Sequence, residues 1–278
     1  MDTPLNPPMH PTPKSTRLTL ALMALVPMWF AIAALGTKIG IWGWQFGLLT
    51  MTISGGPILL GILGLVALVA LVLAIRARPR RMVPLAVAVI ALVGVGVAFG
   101  LMASLGIKAA ANPIHDIATD TANPPAFSAA TMKARTEAKA NPVSDYQTPL
   151  GELEPYKTRV SPELAVKSTA QIITDNPDRP APLPLGGATR EQGVAAVAAA
   201  MTAMGLDDVR QDVASGTVEG VSQSFWFGFR DDVAARVGEA QIDFRSVSRV
   251  GVSDLGANTA RINDLRTRTE ALLGTAAR

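Results

Sequence analysis

Apolar residues follow two different rhythms along this chain. Up to about residue 111 they form unbroken runs, and beyond it they recur at the spacings of strands and amphipathic helices. The runs 18–35, 57–75 and 83–107 carry no charge, and a helix needs about 20 apolar residues to cross a bilayer. They predict an α-helical membrane section of three transmembrane helices over 18–107. Pro27 falls inside the first run and is tolerated in a span. A cleaved signal peptide is the alternative for that run, with Ala31-Ile32-Ala33 as its cleavage site. The stretch 36–56 is semi-polar, with Trp42, Trp44 and Gln45, and is expected to be an interfacial or partly embedded loop on the outer side, with its tryptophans at headgroup level. Residues 1–17 hold five prolines and are expected to be a disordered tail.

Past the runs, proline usage divides the rest. Eleven prolines lie between Pro113 and Pro184 and none follows, so 112–185 reads as extended chain wrapped on a core, with a short helix over 162–174. Residues 186–278 read as that core. Thr189-Arg-Glu-Gln192 is a capping box, and Val194, Val197 and Met201 give its helix one apolar face. Hairpin strands are expected over 208–213 and 217–224, then strands over 230–237 and 240–247 joined through Gly238-Glu239. That tight turn sets Asp232 opposite Arg245, on the face away from Val233, Ala235, Val237, Ile242 and Phe244. A last helix over 255–273, capped by Ser253 or Asp254, completes the set. The expected fold is an α+β soluble domain, a four-stranded antiparallel sheet with helices on one face.

Charge orients this arrangement. Four arginines, Arg76, Arg78, Arg80 and Arg81, stand between the second and third runs, and the positive-inside rule keeps that turn cytoplasmic. The N-terminus is then cytoplasmic and the C-terminal domain periplasmic, in a bacterial inner membrane. Residues 1–111 hold eight Lys or Arg against one acid, Asp2, whereas the remainder holds 17 basic and 21 acidic residues. The net charge of +3 therefore belongs to the membrane half, and no nucleic-acid partner is expected. No span carries an internal charge, which speaks against an ion pathway. Gly96 and Gly100 in the third run are spaced for close helix packing, either within this bundle or against a membrane-protein partner.

Candidate chemistry is sparse. The chain has no cysteine, which removes disulfides, thiolate nucleophiles and cysteine-held metals. His10 stands alone in the tail and His115 is the soluble half's single histidine, too few for a metal site. A hydrolase would use His115 as base, oriented by Asp116, with Ser253 as nucleophile. Ser253 lies outside any Gly-x-Ser-x-Gly elbow and serves equally as a helix cap. Arg245, Arg249 and Arg261 could form an anion or headgroup site near the last helix; the plainer reading is a solvated face of cross-strand pairs. In Phe225-Trp-Phe-Gly-Phe229 the phenylalanines would share a buried face, leaving Trp226 for a partner or the bilayer.

Three of these segments carry a resemblance. His115-Asp-Ile-Ala-Thr-Asp-Thr-Ala-Asn-Pro-Pro-Ala-Phe127, Trp226-Phe-Gly-Phe-Arg-Asp-Asp-Val233 and Asp243-Phe-Arg-Ser-Val-Ser-Arg-Val-Gly-Val-Ser-Asp-Leu-Gly-Ala-Asn258 together resemble the domain-of-unknown-function 1499 family, over about residue 112 to the C-terminus. The resemblance implies a membrane-anchored or exported domain, and it brings no established reaction, cofactor or catalytic residue. The sequence thus points to a membrane-anchored binding or structural module that contacts the lipid bilayer. A hydrolase-like enzyme and an accessory subunit of a membrane complex are the alternatives.

Overall fold

Prolines and glycines bound the apolar runs, yet they stop the helices less often than the pattern suggests. The structure, a computed structural model, describes residues 11–154 and 156–276. The expected tail lies outside the described residues up to residue 10, as does His10, and α1 (Lys14–Lys38) already begins within its last part. Among the described residues three helices are long and apolar enough to cross a membrane: α1, the continuous helix Gln45–Arg76, and α3 (Met82–Ala111).

The second of these starts well before the expected position. A π-helical segment, Gln45–Gly55, runs directly into α2 (Gly56–Arg76), so the loop expected over 36–56 shrinks to a turn near residues 39–43. The wide turns of a π-helix follow i→i+5 spacing. Thr52 Oγ1 donates to Gly47 O at 2.9 Å and Ser54 Oγ to Leu49 O at 2.8 Å, each five residues back. Glycine makes this packing possible, because a Cβ on Gly47 would collide with Thr37 Oγ1 and fall 2.8 Å from Ala33 O. Trp42 folds back over Gly36 and donates its indole N–H to Ala33 O at 3.2 Å.

Leu63 and Ala67 of α2 pack with Ala91 of α3. Gly96 and Gly100 take no part: a Cβ added at either meets nothing within 4 Å. At about 100° per residue, Gly96 lies about 140° and Gly100 about 180° around the helix from Ala91. The packing expected of these glycines within the bundle is made instead around Leu63, Ala67 and Ala91.

A second unit begins at Leu105, within α3. Its sheet has six strands rather than four: β1 (Asp116–Ala118), β2 (Leu183–Pro184), β3 (Asp207–Asp212), β4 (Thr217–Gln223), β5 (Arg230–Val237) and β6 (Gln241–Ser248). The order is β1-β6-β5-β4-β3, and β2 also pairs with β6, all pairs antiparallel. Strands of two and three residues are too short to show an alternation, which is why the sequence reveals only the four longer ones.

Val237 pairs with Ile242, so four residues separate the last paired positions of β5 and β6 in place of two. The register therefore moves by two. Ala234 faces Arg245, Asp232 faces Val247, and the expected Asp232–Arg245 opposition is not made. A shift of two preserves the faces, so Val233, Ala235, Val237, Ile242 and Phe244 remain together in the core. They pack with Val194, Val197 and Met201 of α7 (Arg190–Ala203) and with Ile262 and Leu265 of α8 (Ala257–Ala276). Thr189 and Gln192 form the capping box of α7, and the Asp254 carboxylate accepts the Asn258 N–H at 2.7 Å as α8 begins.

The wrapping segment contributes α4 (Ala129–Glu137), α5 (Pro162–Ala165) and α6 (Thr169–Asp175). The single helix expected over 162–174 is split, because Ser168 and Gln171 form a capping box of their own. α4 reaches the side of the sheet opposite α7 and α8, so helices lie on both faces.

Candidate functional site

Period-two alternation puts Glu219, Asp232, Arg236, Asp243, Arg245 and Asp116 on the sheet face away from α7 and α8. This is the face expected to be solvated. Instead Asp116 and Asp232 are fully buried, and Arg245, Asp243 and Glu219 nearly so. The reason is the cover. Residues 119–150, whose prolines rule out one long helix, fold over this face and bring α4 onto it.

Ser128, Thr131 and Arg135 recur at positions i, i+3 and i+7, so one side of α4 meets the sheet. Ser128 caps the helix, its Oγ accepting the Thr131 N–H at 3.3 Å. Glu219 receives the Ser128 backbone N–H, the Ser128 hydroxyl at 2.7 Å and the Thr131 hydroxyl at 2.7 Å. Farther along, Arg135 donates to Asp232 at 2.5 Å and to Asn141 O at 2.7 Å. Arg249 completes that site with Nε and Nη2 on the two Asp232 oxygens at 2.9 and 2.6 Å.

Arg245 forks onto Asp116, with Nε to Oδ1 at 3.0 Å and Nη2 to Oδ2 at 2.7 Å. Its guanidinium lies 5.3 Å from the ring centres of both Phe127 and Tyr146, and Nη1 donates to Pro125 O at 3.1 Å. Asp116 also receives the Tyr146 hydroxyl at 2.5 Å and the Ser144 N–H at 2.8 Å. Burial, followed by the Asp116 charge, drives the Tyr146 pKa well above its ordinary value, so its proton stays on. Bidentate charge-assisted bonds of this kind fix geometry as well as energy.

His115 is buried beside this network. Its Nε2 lies 3.2 Å from Pro142 O and its Nδ1 2.6 Å from the Tyr156 hydroxyl. A carbonyl only accepts, so Nε2 carries the proton and Nδ1 accepts from Tyr156. Burial lowers the His115 pKa, outweighing the Pro142 hydrogen bond and the Asp116 charge that raise it. Tyr156 is held protonated, its pKa raised by burial and then by Asp116. The ring is a neutral structural link, with both nitrogens engaged.

The residues expected to act together hold separate partners. Ser253 Oγ donates to Asn112 O at 2.7 Å and receives the Leu255 N–H at 3.3 Å, so it pins loops and does not meet the His115 ring. Asp116 serves Arg245. Among the arginines expected to hold an anion, Arg245 and Arg249 are taken by Asp116 and Asp232, and Arg261 by Asp231 at 2.8 Å and Ser246 at 2.8 Å. Trp226 is half exposed in the β4–β5 connection. The neighbouring phenylalanines do not share a buried face, because the segment is a turn and Phe225 is exposed. Among the described residues no group of three or more His, Asp or Glu converges as a metal site would. Arg135, Tyr146 and Tyr156 carried no sequence signal, since their partners lie far away along the chain.

Several concave features lie outside this network. A cleft of about 610 Å³ opens between the turn after β2 and the ends of α7 and α8, lined by Leu183, Leu185, Gln192, Arg266 and Leu273 among others. Gly186 and Gly187, both at positive φ, shape that turn. Arg266 is held by Glu270 at 3.1 Å and by Pro182 O at 3.4 Å. A mostly apolar cleft with a few fixed polar groups has the character of a ligand site.

A family model described as protein of unknown function (DUF1499) matches residues 116–268, which span the buried network and most of the cleft. No curated protein and no solved structure matches the chain.

Proposed function

The chain belongs to the domain-of-unknown-function 1499 family, and on that premise we propose that residues 112–278 are a binding module held at the periplasmic face of a bacterial inner membrane. The four-arginine turn between α2 and α3, with Lys14 and Arg17 at the start of α1, supports a cytoplasmic N-terminus and an outward C-terminal domain. One observation carries binding over catalysis. The groups able to do chemistry, His115, Asp116 and the clustered arginines, are engaged with one another or with backbone, whereas the cleft beside β2 is open. A membrane partner fits the same reading, docking on the side of α3 where Gly96 and Gly100 are uncovered.

The test is native mass spectrometry of the full-length chain purified in mild detergent from its own membranes. A lipid, small molecule or protein should remain bound in stoichiometric amount. If it sits in the cleft, Gly274→Trp should displace it, since Gly274 lines the cleft and a Cβ there meets nothing within 4 Å. A chain that emerges with nothing bound overturns the reading.

A further inference from the structure

Antiparallel pairing collects several loops at one end of the sheet. Ser248 N at the end of β6 donates to His115 O just before β1, at 2.9 Å, and Arg249 N donates to Arg230 O at the start of β5, at 3.1 Å. The turn 224–229, which leads from β4 into β5, is therefore at this end too. Asn112 follows α3 without a linker, and its carbonyl is held by Ser253. The last turns of α3 expose Leu105 and Ile107 just before Lys108, as a helix leaving a bilayer would. Three strand spacings separate β1 from β4, about 14 Å.

Of the seven large apolar side chains exposed beyond α3 among the described residues, four lie at this end. Phe225 is 65% and Trp226 50% exposed, their rings edge to face at 4.9 Å. Leu255 is 37% exposed, and Val166 is 72% exposed beside Leu164 and Lys167, which share a small cavity with Ala111 and Asn112. Val213, by contrast, sits in the β3–β4 turn at the far end. The aromatic turn is preformed: Ser224 N donates to Phe229 O at 2.8 Å, Phe229 N to Ser224 Oγ at 2.9 Å, and Gly228 supplies a positive φ. Lys108 and Lys139 add positive charge. Lys139 lies two residues before Asn141, whose side chain donates to Gly251 O at 2.6 Å.

From these observations we infer that this end of the domain is a bilayer-facing surface, with Trp226 and Phe225 seated among the headgroups of the membrane that α3 crosses. The inference rests on the reading of α3 as a span. Rigid aromatic side chains with polar surroundings suit the headgroup layer, and lysines nearby suit lipid phosphates. The tether makes even a weak contact persistent, because α3 holds the surface at high effective concentration. A consequence follows for the cleft. β2 pairs with the opposite end of β6, Pro184 with Gln241, so the cleft opens at the end of the sheet away from the membrane.

The chain contains no cysteine, so a single introduced thiol can carry a nitroxide. Full-length Phe225→Cys, Trp226→Cys, Val213→Cys and Val97→Cys variants, reconstituted in phosphatidylethanolamine–phosphatidylglycerol nanodiscs, would be compared for accessibility to oxygen and to a water-soluble nickel chelate. The oxygen-to-nickel ratio should be several-fold higher at 225 and 226 than at 213, and highest at 97. Equal, water-like ratios at 225, 226 and 213 with a lipid-like ratio at 97 overturn the inference alone. A water-like ratio at 97 overturns the span reading with it. Shielding of 226 in native membranes but not in nanodiscs means a protein covers the turn, and also overturns it.

Discussion

On one side of the sheet Val233, Ala235 and Phe244 meet Val197, Met201 and Leu265, while on the other Asp232 and Arg245 meet Arg135, Asp116 and Tyr146. Both sides are buried, and they hold their cover differently. The apolar side stabilises by area removed from water, about 25 cal/mol per Å², and is indifferent to which of several arrangements supplies it. The charged side gains little over an apolar filling of the same volume, because desolvation offsets the attraction. What it supplies is position: Glu219, Asp232 and Asp116 each accept donors from residues 128–146, which ties that segment to the sheet. In this domain α7 is held by packing, whereas α4 is held to the sheet through Glu219 and Asp232.

The largest effect should come from removing a charge shared by two partners. Asp232→Ala leaves Arg135 and Arg249 buried without their carboxylate, and the loss should reach the upper end of about 3–5 kcal/mol. Hydrogen exchange of the β5 and β6 amides in the full-length protein measures it. Replacing Asp232 by Leu and both arginines by Met should recover most of that loss; no recovery would mean the charges do more than satisfy one another. Phe244→Ala, on the apolar side, should cost about 3–5 kcal/mol, and no compensating change on the charged side should restore it.

A smaller effect separates the two sides by pH. The folded His115 has a pKa below its ordinary 6.5, so between that lowered value and 6.5 the unfolded chain binds more protons. Stability is complete above pH 6.5 and declines as pH falls toward the folded value. Thermal melts from pH 7.5 to 5 should show the decline, and His115→Gln should flatten it. An unchanged slope in that variant would assign the decline to the carboxylates. The smallest effect should come from Lys167 and Asp175, which also approach to 2.7 Å but in solvent. Asp175→Ala should change stability by less than about 1 kcal/mol, and a cost like that of Asp232→Ala would show that burial is not what distinguishes the pairs.

Only part of the candidate site could be read along the chain. Asp116 stood out as part of a polar group after the third run, and Arg245 and Arg249 as part of the charged group at the last strands and helix; alternation put Arg245 and Asp232 on the correct face. Whether that face was wet depended on residues 119–150, whose sequence gives no sign of the surface they cover. Asp116 and Arg245 lie 129 positions apart, and Arg135 and Asp232 lie 97. No local spacing rule reaches that far.

By itself the sequence determined what depends on near neighbours. It set three apolar helices, because uncharged runs of that length leave the backbone no other way to satisfy its polar groups in lipid. It also set the α7 capping box, the two hairpins and the apolar face of the sheet, each fixed by periods of a few residues. Tertiary structure alone decided the rest: the π-helical start of the second apolar helix, where glycines let it settle on α1; the addition of β1 and β2 to the edge of β6; and the conversion of a polar face into a buried one. These outcomes turn on which distant segment arrives at a surface, and a charged residue reads the same in a strand whether water or another chain segment meets it.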